Sequence, residues 1–169
     1  ANADKLKKAT SFGDLGLTSL SGAFNDADNL EEVPANLPSS VTDLSDCFND
    51  NDAASFLNLD NWDVSNVTNM KGLFDHATNF NQDISGWNVG NVTDMYGMFY
   101  QTSNFDQNIS SWDISSVTDM GNMFYSVELS TANYDALLTG WAAQTVQNDI
   151  DFHGGNSKYS CGSAKDARQ

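Results

Sequence analysis

Apolar side chains recur through the middle of the chain with a period of 25 residues. Three consecutive copies, at 59–74, 84–99 and 109–124, read LDNWDVSNVTNMKGLF, ISGWNVGNVTDMYGMF and ISSWDISSVTDMGNMF. Two weaker copies precede them, LTSLSGAF at 17–24 and VTDLSDCF at 41–48. The insertion NDNDAASFLN then shifts the register before the third copy. Repetition at a fixed period of about 20–50 residues is typical of proteins in which each repeat stacks on its neighbours.

The run before Val-Thr in each copy predicts a short strand. Leu59, Trp62 and Val64 follow an LxxLxL-like order, and the next two copies keep it. The last three residues of the run alternate, which would point the apolar side chains inward and Asp63 outward. We therefore predict a leucine-rich-repeat solenoid, an α/β or mainly β right-handed coil of about five 25-residue coils with a helical C-terminal cap.

The two ends of the chain depart from the repeat and predict caps, because terminal repeats of stacked proteins are atypical. We assign residues 1–16 to an N-terminal cap or partial first coil, 17–129 to the leucine-rich repeats and 130–169 to a C-terminal cap. The last residues look like an interrupted helix, so we expect this cap to be truncated and the chain to be a fragment of a longer protein.

A helix is predicted at the start of the C-terminal cap. Four apolar residues occupy positions i, i+3, i+4 and i+7 and would share one helix face: Tyr134, Leu137, Leu138 and Trp141. Ser130 or Thr131 would cap its first free N–H groups. The following DIDFHGGN predicts an edge strand with Ile150 and Phe152 pointing inward.

The repeat unit FNQDISGWNVGNVTDMYGMFYQTSNF resembles that of the BspA-like leucine-rich-repeat surface proteins of bacteria. DIS-W-V and VT-M--MF carry the resemblance, which extends over about 150 residues. It implies a protein that is extracellular or attached to the cell surface and takes part in adhesion or protein binding.

The net charge of the chain limits the classes of partner that it could bind. The chain has 7 Lys and Arg against 23 Asp and Glu, a formal net charge of −16. Such a surface repels nucleic acid and anionic membranes, and it favours cations or a basic partner. No apolar run reaches the roughly 20 residues that a membrane-spanning helix needs, so we expect no membrane insertion.

Candidate chemistry is sparse. Cys47 and Cys161 lack the spacing of a zinc site, and we expect free, partly buried thiols rather than a disulfide. His76 and His153 accompany no recognised nucleophile, so we predict no enzyme and no cofactor.

Calcium is a lesser hypothesis, for which the only weak candidates are Asp94 and Asp119 at neighbouring repeat positions. We favour these two side chains as acceptors of backbone N–H groups in a bend. Ice binding is a further lesser hypothesis. It would use the column of threonines, but each copy supplies only one threonine, beside valine.

Small polar and acidic side chains line the predicted strand face. The proposed binding residues are Asp60, Asn61, Asp63, Ser85, Asn88, Ser110, Ser111 and Asp113, together with Gly86. Extended faces of this kind bind proteins or peptides in repeat proteins, so we predict a protein or peptide partner, with a host or neighbouring-cell surface as its candidate source. Two alternatives stay open: these residues are merely solvated, or the module is a spacer in a long adhesin with no ligand of its own. The sequence leaves the oligomeric state open.

Overall fold

The structure, a computed structural model, describes residues 5–160 and residue 162. One α-helix, α1, spans Thr131–Ala142, and one 3-10 helix spans Leu59–Asn61. Most of the remaining described chain consists of turns, bends, isolated parallel bridges and irregular segments. The prediction of a leucine-rich-repeat coil built on β-strands is therefore wrong, since no β-strand or sheet is present in residues 5–160.

Hydrogen-bonded turns replace the predicted strands. In the fourth copy, the N–H groups of Trp87, Val92 and Met98 donate to the carbonyls three residues earlier, at 3.1, 2.8 and 3.1 Å. The third and fifth copies make the same bonds. Chain reversals at this density leave no run long enough for a strand, which usually needs about 3–10 residues. The segment DISGWNV is thus a turn at Ser85 and Gly86 rather than a strand.

Asp and Asn side chains favour these turns over a ladder. Asp83 Oδ1 accepts the Ser85 N–H at 2.9 Å, and Asn88 Oδ1 accepts the Gly90 N–H at 3.3 Å. Side chains that bond to backbone two residues ahead stabilise turns and compete with extended pairing. The alternation of apolar and polar residues therefore did not indicate a strand in these copies.

Left-handed residues bend the backbone again after each methionine. Gly72 and Gly97 have φ of 59° and 60°, and Asn122 occupies the same repeat position at 57°. Glycine adopts this conformation without the steric cost that a Cβ brings. Gly97 therefore eases the turn in the fourth copy.

Corresponding positions of successive copies lie directly over one another. The Thr93 N–H donates to the Thr68 carbonyl at 2.8 Å, and the Met95 N–H donates to the Asp119 carbonyl at 2.8 Å. The Thr93 hydroxyl donates to the same Thr68 carbonyl at 3.1 Å. Neighbouring copies are joined by isolated parallel bridges at these positions, for example between Asn69 and Asp94.

Aromatic rings form the centre of the core. Phe48, Phe74, Phe99 and Phe124 stack with successive centroid distances of 5.5, 5.8 and 5.5 Å. The repeated Trp, Val, Met and Phe positions of the third to fifth copies are all buried. The predicted inward positions of the repeat are therefore confirmed, although the backbone that presents them is not extended.

The C-terminal region contains the predicted helix. Ser130 Oγ accepts the Asn133 N–H at 3.4 Å, and the four apolar residues predicted to share a face are all buried. The predicted edge strand is wrong: Phe152 makes one bridge to Met120, and Ile150 and Phe152 are only half-buried. The domain boundaries stay a prediction. Among the described residues, no helix is long and apolar enough to cross a membrane.

Candidate functional site

The residues predicted to form a binding face occupy a column of turns. Asp60, Asn61, Asp63, Asn88, Ser111 and Asp113 are exposed with Gly86, whereas Ser85 and Ser110 are half-buried. Asp63 and Asp113 each accept the N–H of the serine two residues ahead, at 3.1 and 3.0 Å. Side-chain and backbone hydrogen bonds from those serines lower the pKa of both aspartates. These carboxylates are therefore anionic at neutral pH and already serve the backbone.

At the fifth copy, the C-terminal helix α1 packs against this column of turns and reduces its open surface. A Cβ placed on Gly140 of α1 would lie 2.4 Å from the Ser110 carbonyl oxygen, so helix and turn are in close contact. Just after the helix, Gln144 Nε2 donates to the Trp112 carbonyl at 2.8 Å. The open part of the predicted face consequently lies toward the third and fourth copies.

A groove adjoins that open part, where the insertion at 49–58 interrupts the repeat. Its volume is about 780 Å³, and its lining includes residues 28–31, 53–58, Asp60, Gln82 and Asp83. Sites for ligands usually span about 300–1,000 Å³. Of the predicted binding residues, the structure brings Asp60 alone into this groove.

Hydrogen bonds hold the insertion against the segment that follows the first copy and the segment that precedes the fourth copy. Buried Asn51 donates to the Ala27 carbonyl at 2.9 Å, and Asn58 donates to the Val33 carbonyl at 3.0 Å. On the other side, Gln82 Oε1 accepts the Phe56 N–H at 2.9 Å. The walls of the groove are thus tied to the stack on both sides.

The groove combines four carboxylates with an apolar contact surface. Asp28, Glu31, Asp60 and Asp83 line it, and Leu57 is 63% exposed beside them. Hydrogen bonds from the backbone and side chain of Ser85 lower the pKa of Asp83. An amphipathic, positively charged segment is complementary to this arrangement in both polarity and charge.

An aromatic ladder runs along a different side of the stack. His76, Tyr100, Tyr125 and His153 follow one another with centroid distances of 5.5, 4.7 and 5.6 Å. Tyr125 is 41% exposed. One signal in the sequence marks this ladder: Tyr100 and Tyr125 stand one repeat period of 25 residues apart.

A smaller cleft of about 290 Å³ borders the ladder. Lys71 Nζ lies 5.4 Å from the centroid of the Tyr96 ring, and both side chains line the cleft. Asp75 also lines it and lies 2.6 Å from His76 Nδ1. Burial raises the pKa of the Asp75 carboxyl, and the charge of His76 opposes that rise.

The calcium candidates serve the backbone. Asp94 Oδ1 accepts the Tyr96 N–H, and Asp119 Oδ1 accepts the Gly121 N–H, both at 2.9 Å. The favoured role in the bend is therefore confirmed for both residues. Within residues 5–160, no group of three or more His, Cys, Asp or Glu side chains could hold a metal ion.

A family model described as "Mycoplasma protein of unknown function, DUF285" matches residues 18–158. The chain belongs to the DUF285 family. We found no significant match to a curated protein or to a solved structure. Membership in DUF285 is compatible with a bacterial surface repeat protein, whereas the finer BspA-like resemblance stays a prediction.

The groove arises where this DUF285 chain departs from its own repeat. The register shift between Phe48 and Phe74 was the one sequence signal that marked it. Insertions in repeat proteins map to loops on one face, which is often the face that binds. The insertion itself has no periodic pattern, so its walls could not be placed from sequence.

The prediction of a free thiol is confirmed for Cys47, which is fully rather than partly buried. Cys47 is a free thiol, buried within the second copy. Burial raises its pKa far above the usual range, which keeps it protonated and unreactive. Cys161 lies outside the residues that the structure describes.

Proposed function

We propose that this chain is a non-enzymatic module of a bacterial surface or secreted protein, and that it binds a basic protein or peptide in the groove formed by the insertion. The observation that carries the proposal is the groove itself, with four carboxylates and exposed Leu57 at one place. The BspA-like resemblance supports an adhesive role outside the cell.

Charge would bring the partner to the groove. The net charge of −16 attracts a basic segment from a distance, and clefts lined by one sign of charge raise the local concentration of the opposite sign. Lys and Arg carry apolar stems below their charged ends, so their stems would cover Leu57 while the ends reach Asp60 and Asp83.

The test compares two double variants with equal changes in charge. Asp60→Asn with Asp83→Asn removes two groove carboxylates, and Asp63→Asn with Asp113→Asn removes two from the predicted face. Asn88 and Asn108 show that asparagine makes the same turn bond in these repeat positions. The probe is a library of Lys- and Arg-rich peptides with interspersed leucines, measured by fluorescence anisotropy.

We expect the groove variant to weaken binding of the best peptide about tenfold and the face variant to weaken it less than about twofold. A larger loss of affinity in the face variant would contradict the groove and would place the binding site on the column of turns. Equal losses would indicate only long-range attraction.

A stiff spacer within a long adhesin is the second candidate function. The unbroken stack of phenylalanine rings from Phe24 to Phe124 favours it, because this core links every copy to the next. Absence of saturable binding to any peptide, glycan or matrix protein would support the spacer and contradict the groove.

A further inference from the structure

The cleft of about 290 Å³ beside the aromatic ladder is open because two successive copies have glycine at the same repeat position. Gly72 and Gly97 line it with left-handed backbones, at φ of 59° and 60°. The second and fifth copies carry Asp46 and Asn122 at this position, and both residues also line the cleft. The other lining residues are Lys71, Asp75, Tyr96 and Tyr100. The volume lies near the lower end of the range for ligand sites, which begins at about 300 Å³, so the cleft suits a small ligand.

An unpaired ammonium and an unpaired carboxylate line this cleft. Lys71 is the only Lys or Arg in residues 9–157, and it makes no salt bridge with a carboxylate of the described residues. Its Nζ lies instead 5.4 Å from the centroid of the Tyr96 ring. The Asp46 carboxylate likewise has no ion pair or hydrogen-bond donor in the described part of the chain. Both side chains are exposed, so a ligand can reach them from solvent.

A second donor and a second acceptor stand beside them. Asn122 Nδ2 donates to the Tyr96 hydroxyl oxygen at 2.8 Å. A tyrosine hydroxyl accepts and donates at once, and a primary amide has an acceptor oxygen besides its donors. The Tyr96 O–H group can therefore still donate to a ligand, and Asn122 Oδ1 can accept from it. Tyr96 is 37% exposed, so its ring is also within reach.

This mixture of donors and acceptors selects the class of ligand. A cation would be repelled by Lys71, and an anion would be repelled by Asp46 and by the net charge of −16. A hydroxyl group is neutral and both donates and accepts, so a polyol can satisfy the ammonium and the carboxylate together. The C–H groups of a sugar ring would pack against the tyrosine rings, which supply apolar contact area.

We propose that this cleft binds a neutral saccharide. Its hydroxyl groups would accept from Lys71 and Tyr96 and donate to Asp46 and Asn122. The site is independent of the acidic groove, because the two share no lining residue.

The first experiment titrates the labelled whole chain with four neutral disaccharides, lactose, maltose, cellobiose and diacetylchitobiose, and with glycylglycine as a zwitterion of similar reach. We expect at least one disaccharide to give saturable amide shifts at residues 71–72, 96–97 and 122, with a Kd of about 1 mM. Absence of saturable shifts there with all four disaccharides would overturn the site. Tighter binding of glycylglycine would overturn the saccharide as the ligand class.

Salt dependence separates this site from the groove. Screening acts on charged ligands, so we expect the affinity for the best disaccharide to change less than about twofold between about 50 and 500 mM NaCl. A Lys- and Arg-rich peptide in the acidic groove should lose affinity over the same range. A larger loss for the disaccharide would overturn the neutral ligand class.

A filling variant tests the location of the site. Gly97→Asn places a side chain in the cleft, and Asn122 shows that asparagine adopts the left-handed backbone of this position, at φ of 57°. A Cβ on Gly97 would lie no closer than 3.6 Å to the heavy atoms around it, so the fold can accommodate the change. Gly22→Asn is the matched control, since Gly22 has φ of 62°, has open space around its Cβ position and does not line the cleft.

We expect Gly97→Asn to weaken binding of the best disaccharide at least about fivefold and Gly22→Asn to leave it within about twofold of wild type. Unchanged binding by Gly97→Asn would overturn the assignment, as would equal losses in the two variants. The shift map of the wild-type chain gives the same decision without any variant, because saturable shifts confined to other residues would also overturn the proposal.

Discussion

Single Asp and Asn side chains fix the backbone at corresponding positions of successive copies. Asp43, Asn69, Asp94 and Asp119 each accept the N–H two residues ahead, at distances of 2.9–3.0 Å. Asparagine performs this task as well as aspartate, so the charge is not needed for the turn. The acidic character of the repeats therefore reflects the exposed surface more than the fold.

Asp43 allows a test of how far that charge affects stability. Burial alone would raise the pKa of Asp43, but hydrogen bonds from Ser45 and Ser19 outweigh burial and hold it below the usual value of 3.8. A carboxyl with a lowered pKa stabilises the folded state above its unfolded pKa. That contribution is lost as pH falls below about 3.8.

We expect Asp43→Asn to reduce the loss of unfolding free energy between about pH 6 and pH 3, measured by urea denaturation. The variant keeps the turn bond that Asn69 makes in the next copy. The same loss in the variant as in wild type would contradict the role of Asp43.

At the scale of elements, the repeat predicted which side chains face the core and failed to predict the backbone. Val92, Met95 and Phe99 are buried as expected. The residues between them gave the same alternation that a strand would show, but Asp, Asn and Gly at fixed positions direct the chain into turns. Helix α1 was predictable because its four apolar residues have the spacing i, i+3, i+4 and i+7, which places them on one face of a helix.

Gly72 shows the constraint that each turn imposes. Its φ is 59°, and a Cβ would lie 2.2 Å from Asp46 Oδ1. Gly86 has no heavy atom within 4 Å of such a Cβ, and its φ lies outside the left-handed region. The two positions therefore form a matched pair.

We expect Gly72→Ala to lower the free energy of unfolding by about 1–3 kcal/mol and Gly86→Ala to change it by less than about 1 kcal/mol, measured by chemical denaturation. The difference follows from the left-handed backbone and the Asp46 contact. Equal effects of the two substitutions would mean that the turn at Gly72 is not constrained as described.

At the scale of the whole molecule, the candidate site forms where the insertion at 49–58 interrupts the regular repeat. The sequence pattern points to the small polar residues of the regular copies, because only residues that repeat can be aligned. The groove instead draws on Asp28 and Glu31, the insertion, and Asp83, which only the stacking of copies brings together. Residues that far apart in sequence share no pattern, so their proximity had to come from the structure.

The most direct test of the groove as a binding site is a map of amide chemical-shift changes while a Lys- and Arg-rich peptide with interspersed leucines is added to the labelled chain. We expect saturable changes concentrated at residues 28–31, 53–60 and 82–83. Changes concentrated instead at 61–63, 85–88 and 110–113, along the column of turns, would contradict the groove as the binding site.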